Sequence, residues 1–192
     1  VDLGGLFHTT RIQFALAQRL ERAGLMAILG MGSAPGIINV LAEHAAEGLE
    51  RVREVHCLVG AADRTRYRDL PPLGFGYSPD TLLDEYVLPS AVFRGGRFAM
   101  VPALDPAERI AVRFPKPVGT IIVDSTLHSE VATLPLSFAD RGVREVTFRQ
   151  GFAPEFRERL RFLVELGLVD VAPRVAGVTP RRVLLELLAR FP

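Results

Sequence analysis

The chain has 192 residues, 48% of them apolar, and a formal net charge of +1. That is enough for one domain, or slightly more, with a real core. Near-neutrality gives no sign of the concentrated positive charge of a nucleic-acid or acidic-membrane binder. No apolar run approaches the ~18 residues of a membrane span. The single cysteine, Cys57, excludes an internal disulfide and a cysteine-based zinc site. The chain opens on "VDLGG", with neither an initiator Met nor a basic leader, and so reads as a segment of a longer, cytoplasmic protein.

Two strand-then-helix units come first. Residues 1–5 read as the tail of a strand. Residues 9–24 follow as a helix with Ile12, Leu16 and Leu20 on one face, Thr9 or Thr10 as N-cap, and Gly24 as its stop. Residues 25–32, "LMAILGMG", form a short, continuously apolar strand of the kind buried on both faces. The next helix, about 35–48, is expected to bury Ile37, Leu41 and Ala45, with Ile38, Ala42 and Leu49 beside them. Alternation of this kind predicts a parallel sheet.

From about residue 50 the pattern changes. Strands are expected at 53–62, 109–115, 119–126 and 143–150, with a hairpin over 91–102 turning on Gly95-Gly96. Residues 64–79 read as a loop rich in Arg, Pro and Gly. A short helix running into a strand follows at 80–91. A helix at 154–166 is closed by Gly167, and a last one is announced by Thr179-Pro180. The fold class is therefore α/β: the end of a Rossmann-type parallel sheet over residues 1–50, then a mixed, largely antiparallel sheet with flanking helices over 51–192.

Several places carry chemistry. Ser33, Ala34, Pro35 and Gly36 put a helix N-terminus at the C-terminal edge of a strand, where bare amides suit an anion. A plain strand-to-helix turn would have the same spacing. No G-x-G-x-x-G fingerprint occurs in the chain. His8 follows a strand end at that same edge. His44 and His56 read as structural. His128 lies in a polar break with Ser129 and Glu130, either a proton-transfer group or a solvated turn. Arg149, beside Gln150 and Gly151 at a strand end, suits bidentate capture of a carboxylate, or simply a surface role. Asp84 and Glu85 are neighbours and do not face each other, which argues against a catalytic carboxylate pair. Gly74, Phe75, Gly76, Tyr77 and Ser78 form a glycine-flanked aromatic loop suited to a pocket wall. No metal-ligand spacing is present, and no metal is expected.

In this order, "VDLGG", "GMGSAPGIINVLA", "GYSPDTLLDEYVLPSAVFRGGR", "LHSEVATLP" and "VTFRQGF" followed by "LRFLVELGL" resemble the saccharopine dehydrogenase family over most of the chain. The resemblance implies a Rossmann unit followed by a domain for substrate binding and homodimerisation. It also implies hydride transfer between NAD or NADP and the amine-bearing carbon of an amino acid or opine, through an imine. By motif position it implies His128 as catalytic, and Ser33, Pro35, Gly36, Tyr77, Ser78 and Arg149 as substrate-binding. It implies Gly4, Gly5 and His8 as cofactor-binding, and the turn at residues 30–36 as holding part of the substrate or the nicotinamide end of the cofactor. "SAPG" and "LLDEY" look closer to the lysine 6-dehydrogenases, whereas Arg149-Gln150-Gly151 departs from the family's Arg-Tyr-x-Gly. Since the pyrophosphate-binding glycines are absent, the chain alone is expected to be inactive. The alternative is a non-catalytic interaction module retaining the fold.

Overall fold

The structure is a computed structural model and describes residues 1–66, 73–172 and 176–190. Part of the expected loop at 64–79 therefore lies outside the described residues. The centre of the fold is β6 (Glu145–Gly151), in a six-stranded sheet. Its Val146, Thr147 and Phe148 are residues that fit a pleated, buried surface. β1 (Glu54–Gly60) pairs with it in parallel along its whole length. β2 (Ser90–Arg94) pairs antiparallel with its beginning, and β5 (Thr120–Ser125) antiparallel with its end. β3 (Arg97–Val101) and β4 (Ile110–Arg113) complete the order β3-β2-β6-β5-β4, with β1 beside β6. The β2–β3 hairpin turns on Gly95 and Gly96, at φ 60° and 81°, a pair of left-handed residues that favours glycine. The mixed, largely antiparallel sheet is thus as expected from sequence.

Seven α-helices accompany the sheet among the described residues. α1 (Phe7–Phe14), α2 (Ala17–Arg22) and α3 (Ile37–Ala45) precede β1. α4 (Pro79–Val87), α5 (Glu130–Ser137), α6 (Pro154–Glu165) and α7 (Pro180–Leu188) follow it. One core lies between the sheet and α5 and includes Leu127, Val131, Leu134, Phe138, Val146 and Phe148. A second joins α4, α6 and α7 through Leu82, Leu83, Tyr86, Leu160, Val169 and Leu184.

The first 50 residues depart from expectation. Residues 1–5 and 25–32 run side by side but form no regular strand. Asp2 N–H donates to the Ile28 carbonyl and Met31 N–H to the Asp2 carbonyl, both at 2.9 Å, a spacing that does not repeat as a ladder. The first helix breaks at Ala15 and Leu16, and Leu6 rather than Thr9 or Thr10 stands at its N-cap. It buries Leu6 and Thr10, and leaves Ile12 and Leu16 exposed. On α3 the face with Ile37, Leu41 and Ala45 is exposed, while Ile38, Ala42 and Ala46 meet the core. Both faces of this helix are apolar, so periodicity does not choose between them. The rotation is fixed by Asn39, whose Nδ2 donates to Thr133 Oγ1 on α5 at 2.9 Å. The polar break at 127–137 is not a solvated turn: it enters α5, with His128, Ser129 and Glu130 all buried.

Candidate functional site

Leaving β5, the chain passes through Leu127 and His128 into α5. His128 is 4% exposed, and its ring stacks on Phe148 of β6, with centroids 3.8 Å apart and an interplanar angle of 11°. Its Nδ1 lies 2.6 Å from Glu130 Oε2 and its Nε2 3.4 Å from Glu85 Oε1. Glu85 comes from α4, whose start is set by Ser78 as N-cap and Pro79 in the first turn. The other oxygen of Glu85 accepts from the Tyr77 hydroxyl and, at 2.5 Å, from Gln150 Nε2. Tyr77, 40% exposed, is the member of this cluster at the surface.

The electrostatics follow from that packing. Burial opposes a charge on His128, but the hydrogen bonds and charges of Glu130 and Glu85 outweigh it and raise the imidazole to about 9. The ring is therefore an imidazolium at neutral pH. Burial, reinforced by the charge of Glu85, pushes the Tyr77 phenol well above its ordinary value. Burial, then the charge of Glu130, pushes the Cys57 thiol up to about 12, so this thiol is inert. A cationic ring between two carboxylates, with a phenol leading outward, can hold and pass a proton.

The other expected site residues sit apart from His128. Arg149 lies on the opposite face of β6. Its Nε donates to the Glu108 carbonyl at 2.8 Å, Nη1 to Thr147 Oγ1 at 2.7 Å and Nη2 to Glu108 Oε2 at 3.1 Å. A substrate carboxylate would have to compete with these. Ser78 caps α4, accepting from Thr81 N–H at 3.4 Å. The turn at Ser33, Pro35 and Gly36 is tied to α5 by the Asn39–Thr133 bond, and its Ala34 packs on the core that includes Val131 and Leu134 of α5. Its helix N-terminus is not bare. Ile37 N–H donates to the Gly32 carbonyl, Ile38 N–H to that of Ser33, and Gly36 N–H to Asn39 Oδ1. Tight glycine packing turns these amides inward: a Cβ on Gly36 would lie 2.1 Å from the Gly32 oxygen.

Of the residues assigned to a cofactor, Gly4 lies against Pro35, Gly5 leaves open space, and His8 is exposed on α1. These three do not fit a complete dinucleotide site, because the glycine surface is used by the chain's own turn. A polar cleft of 660 Å³ opens at the N-terminal ends of β1 and β6, away from His128. Its four arginines are matched by four carboxyl groups, so it favours neither sign of ligand.

Sequence reasoning grouped His128 with Glu130 but missed Glu85 and Gln150. Asp84 and Glu85 do diverge as expected, Asp84 to Arg181 and Glu85 to the histidine. The available signal was the strict alternation along β6, which sends Gln150 to the side of Phe148 and away from Arg149.

No family model matches the chain. It is 25% identical over 163 residues to the carboxynorspermidine synthase of Vibrio cholerae, covering 84% of this chain and 37% of that protein. It is 24% identical over 182 residues to the carboxynorspermidine synthase of Vibrio alginolyticus, covering 92% and 41%. The chain thus spans about two fifths of the length of these curated relatives. Among solved structures it is similar to apo saccharopine dehydrogenase (L-Glu forming) from Saccharomyces cerevisiae. That match has a TM-score of 0.50 and 18% identity, over 80% of this chain and 35% of that one. The resemblance read from the sequence is found again in the fold.

Proposed function

We propose that the chain is the substrate-binding and dimerisation portion of an NAD(P)-dependent oxidoreductase acting on the CH–NH group of an amino acid or opine. In this reading residues 1–50 end a Rossmann-like unit, 51–192 form the substrate domain, and the active enzyme is a longer, cytoplasmic homodimer. The observation that carries it is the buried Glu85–His128–Glu130 cluster beneath Tyr77, at the C-terminal ends of β5 and β6, in a chain with the fold of a saccharopine dehydrogenase. The names of the Vibrio relatives add a carboxylated polyamine to the candidate substrates.

Hydride acceptance would be the chemistry of the bound nicotinamide, whose site Gly4, Gly5 and His8 do not complete. The chain's own part is proton handling, since an ammonium must lose a proton before its carbon can be oxidised. Ser33, Pro35 and Gly36 would bound the substrate across α5, Tyr77 and Ser78 would line its approach, and Arg149 would hold a carboxylate only by release from Glu108. The alternative, a non-catalytic interaction module, draws support from one observation: the Arg149 and α3 groups expected to hold an anion are engaged within the chain.

The test follows NAD(P)H in the protein with its flanking sequence restored, offered lysine, saccharopine or carboxynorspermidine at high pH. The 192-residue chain serves as control. Turnover of one of these by the longer protein and none by the control is the expected result. Absence of both turnover and nucleotide binding would favour the module.

A further inference from the structure

The His128 cluster holds two acidic side chains and one basic one. Two carboxyl groups flank one imidazole among side chains that are 2% (Glu85), 4% (His128) and 0% (Glu130) exposed, so the ring can neutralise only one of them when both are ionised. Such an imbalance is costly to bury, and a single added proton removes it. The second oxygen of Glu130, Oε1, is buried and finds no donor among the described residues. The cluster has a buried acceptor with room for one more proton.

Among the described groups packed on it, one leads to the surface. Phe148 covers the ring of His128. Cys57 of β1 is 3% exposed, and Tyr86 of α4, at 2%, directs its hydroxyl to the Gln150 carbonyl at 3.4 Å. Gln150, 5% exposed, reaches Glu85 with an amide that does not ionise. Tyr77 alone among these groups is both at the surface and hydrogen-bonded to Glu85 through an exchangeable O–H.

We infer that Glu85, His128 and Glu130 form one proton-accepting unit whose gate is the Tyr77 hydroxyl. In the presence of the amine ligand of the preceding reading, on which this part rests, the ammonium N–H bond breaks and its proton goes to the Tyr77 oxygen. The original Tyr77 proton passes to Glu85 Oε2. The products are a neutral amine, an unchanged phenol and a neutral Glu85 carboxyl, and no electrons are exchanged. Tyr77 touches the ligand; Glu85 and His128 act through it as positioning residues. Tyr77 is a poor base itself, since burial and Glu85 hold its phenol protonated.

The experiment needs no substrate. In the 192-residue chain labelled with ¹⁵N-histidine, the exchange of the His128 ring N–H protons with water is measured for the wild type, Tyr77→Phe and Glu85→Gln. Loss of the His128→Gln signals identifies the resonance. Tyr77→Phe keeps the ring and removes only the gate, so exchange slows at least about tenfold, and Glu85→Gln slows it likewise. Unchanged or faster exchange in folded Tyr77→Phe overturns the inference, because a merely structural Tyr77 would on removal loosen the cluster. In the longer enzyme, Tyr77→Phe is expected to lower kcat for amine oxidation about 100-fold with KM within about twofold. If that wild-type enzyme oxidises no amine, the functional reading fails while the exchange rates still decide the relay.

Discussion

The two faces of β6 solve the same problem in opposite ways. Thr147 and Arg149 point to one face, Phe148 and Gln150 to the other, as the period of a strand requires. On the first, Glu108 lies between Arg94 and Arg149, and Glu145 also pairs with Arg94 at 3.5 Å, so two carboxylates match two guanidinium groups. This balanced group also reaches water, because the Arg94 side chain is 39% exposed. On the second, two carboxyl groups are buried around the one ring of His128, and among the groups bonded to them Tyr77 leads outward. A cluster already neutralised to the surface holds a fold together. One with room for a further proton has something to accept, which is why perturbed buried groups mark functional sites.

The comparison breaks most readily at Glu108. Glu108→Ala leaves the buried Arg149 guanidinium without its carboxylate and Arg94 with Glu145 alone, and is expected to cost about 3–5 kcal/mol, read by denaturant unfolding. The Glu108 carboxyl is held below its ordinary value, first by its hydrogen bond to Arg94. Its contribution is therefore present above the unfolded value of 4.5 and lost as pH falls through the lower folded one. Between pH 6 and 9 the loss in the variant should not change.

His128→Gln should behave in the opposite sense. The imidazole is raised from 6.5 to about 9, so its stabilisation is full below pH 6.5 and disappears as pH rises through about 9. At about 1.4 kcal/mol for each tenfold gain in proton affinity, the variant should lose about 3 kcal/mol at pH 6 and little by pH 10. A loss independent of pH would mean that the ring acts by stacking on Phe148 alone. Unfolding curves at pH 6, 8 and 10 decide this.

What was legible in the sequence was what acts locally. Gly95-Gly96, Gly167 and Thr179-Pro180 mark their turn and helix ends within a few residues, and the elements stand where they point. His128 and Glu130, two residues apart, were legible as a pair for the same reason. The rest depends on distant partners. Gln150 meets Glu85 across 65 positions, and Arg149 meets Glu108 across 41. Nothing local distinguishes Arg149 as a carboxylate clamp from Arg149 as a pin. α5 was hidden by its polar entry and by Pro135 within it. The first 50 residues misled through an excess of apolar surface: on α3 two faces qualified for burial, and Asn39 chose between them.

Arg149→Lys tests whether charge or shape matters on the first face. Lysine keeps the charge, but its compact ammonium cannot reproduce three bonds made from a rigid fork. A loss of about 1–2 kcal/mol is expected, constant from pH 6 to 9, with the His128 titration by NMR unmoved. Movement of that titration would mean the two faces communicate through the strand, and the division between pin and proton holder would fail.

The smallest effect belongs to Ser78, which sits seven residues before Glu85 on the same helix. Its hydroxyl accepts from Thr81 N–H at 3.4 Å, a long bond at an exposed position. Ser78→Ala should therefore cost about 0.5–1 kcal/mol, and Ser78→Asp should restore it, since aspartate caps as well and suits the helix dipole. The position of Glu85 does not depend on this cap, because Leu82, Leu83 and Tyr86 of the same helix are buried in the second core. His128 should accordingly titrate alike in both variants. A lowered His128 value in Ser78→Ala would show that the helix end, rather than the core beneath it, holds Glu85 against the ring.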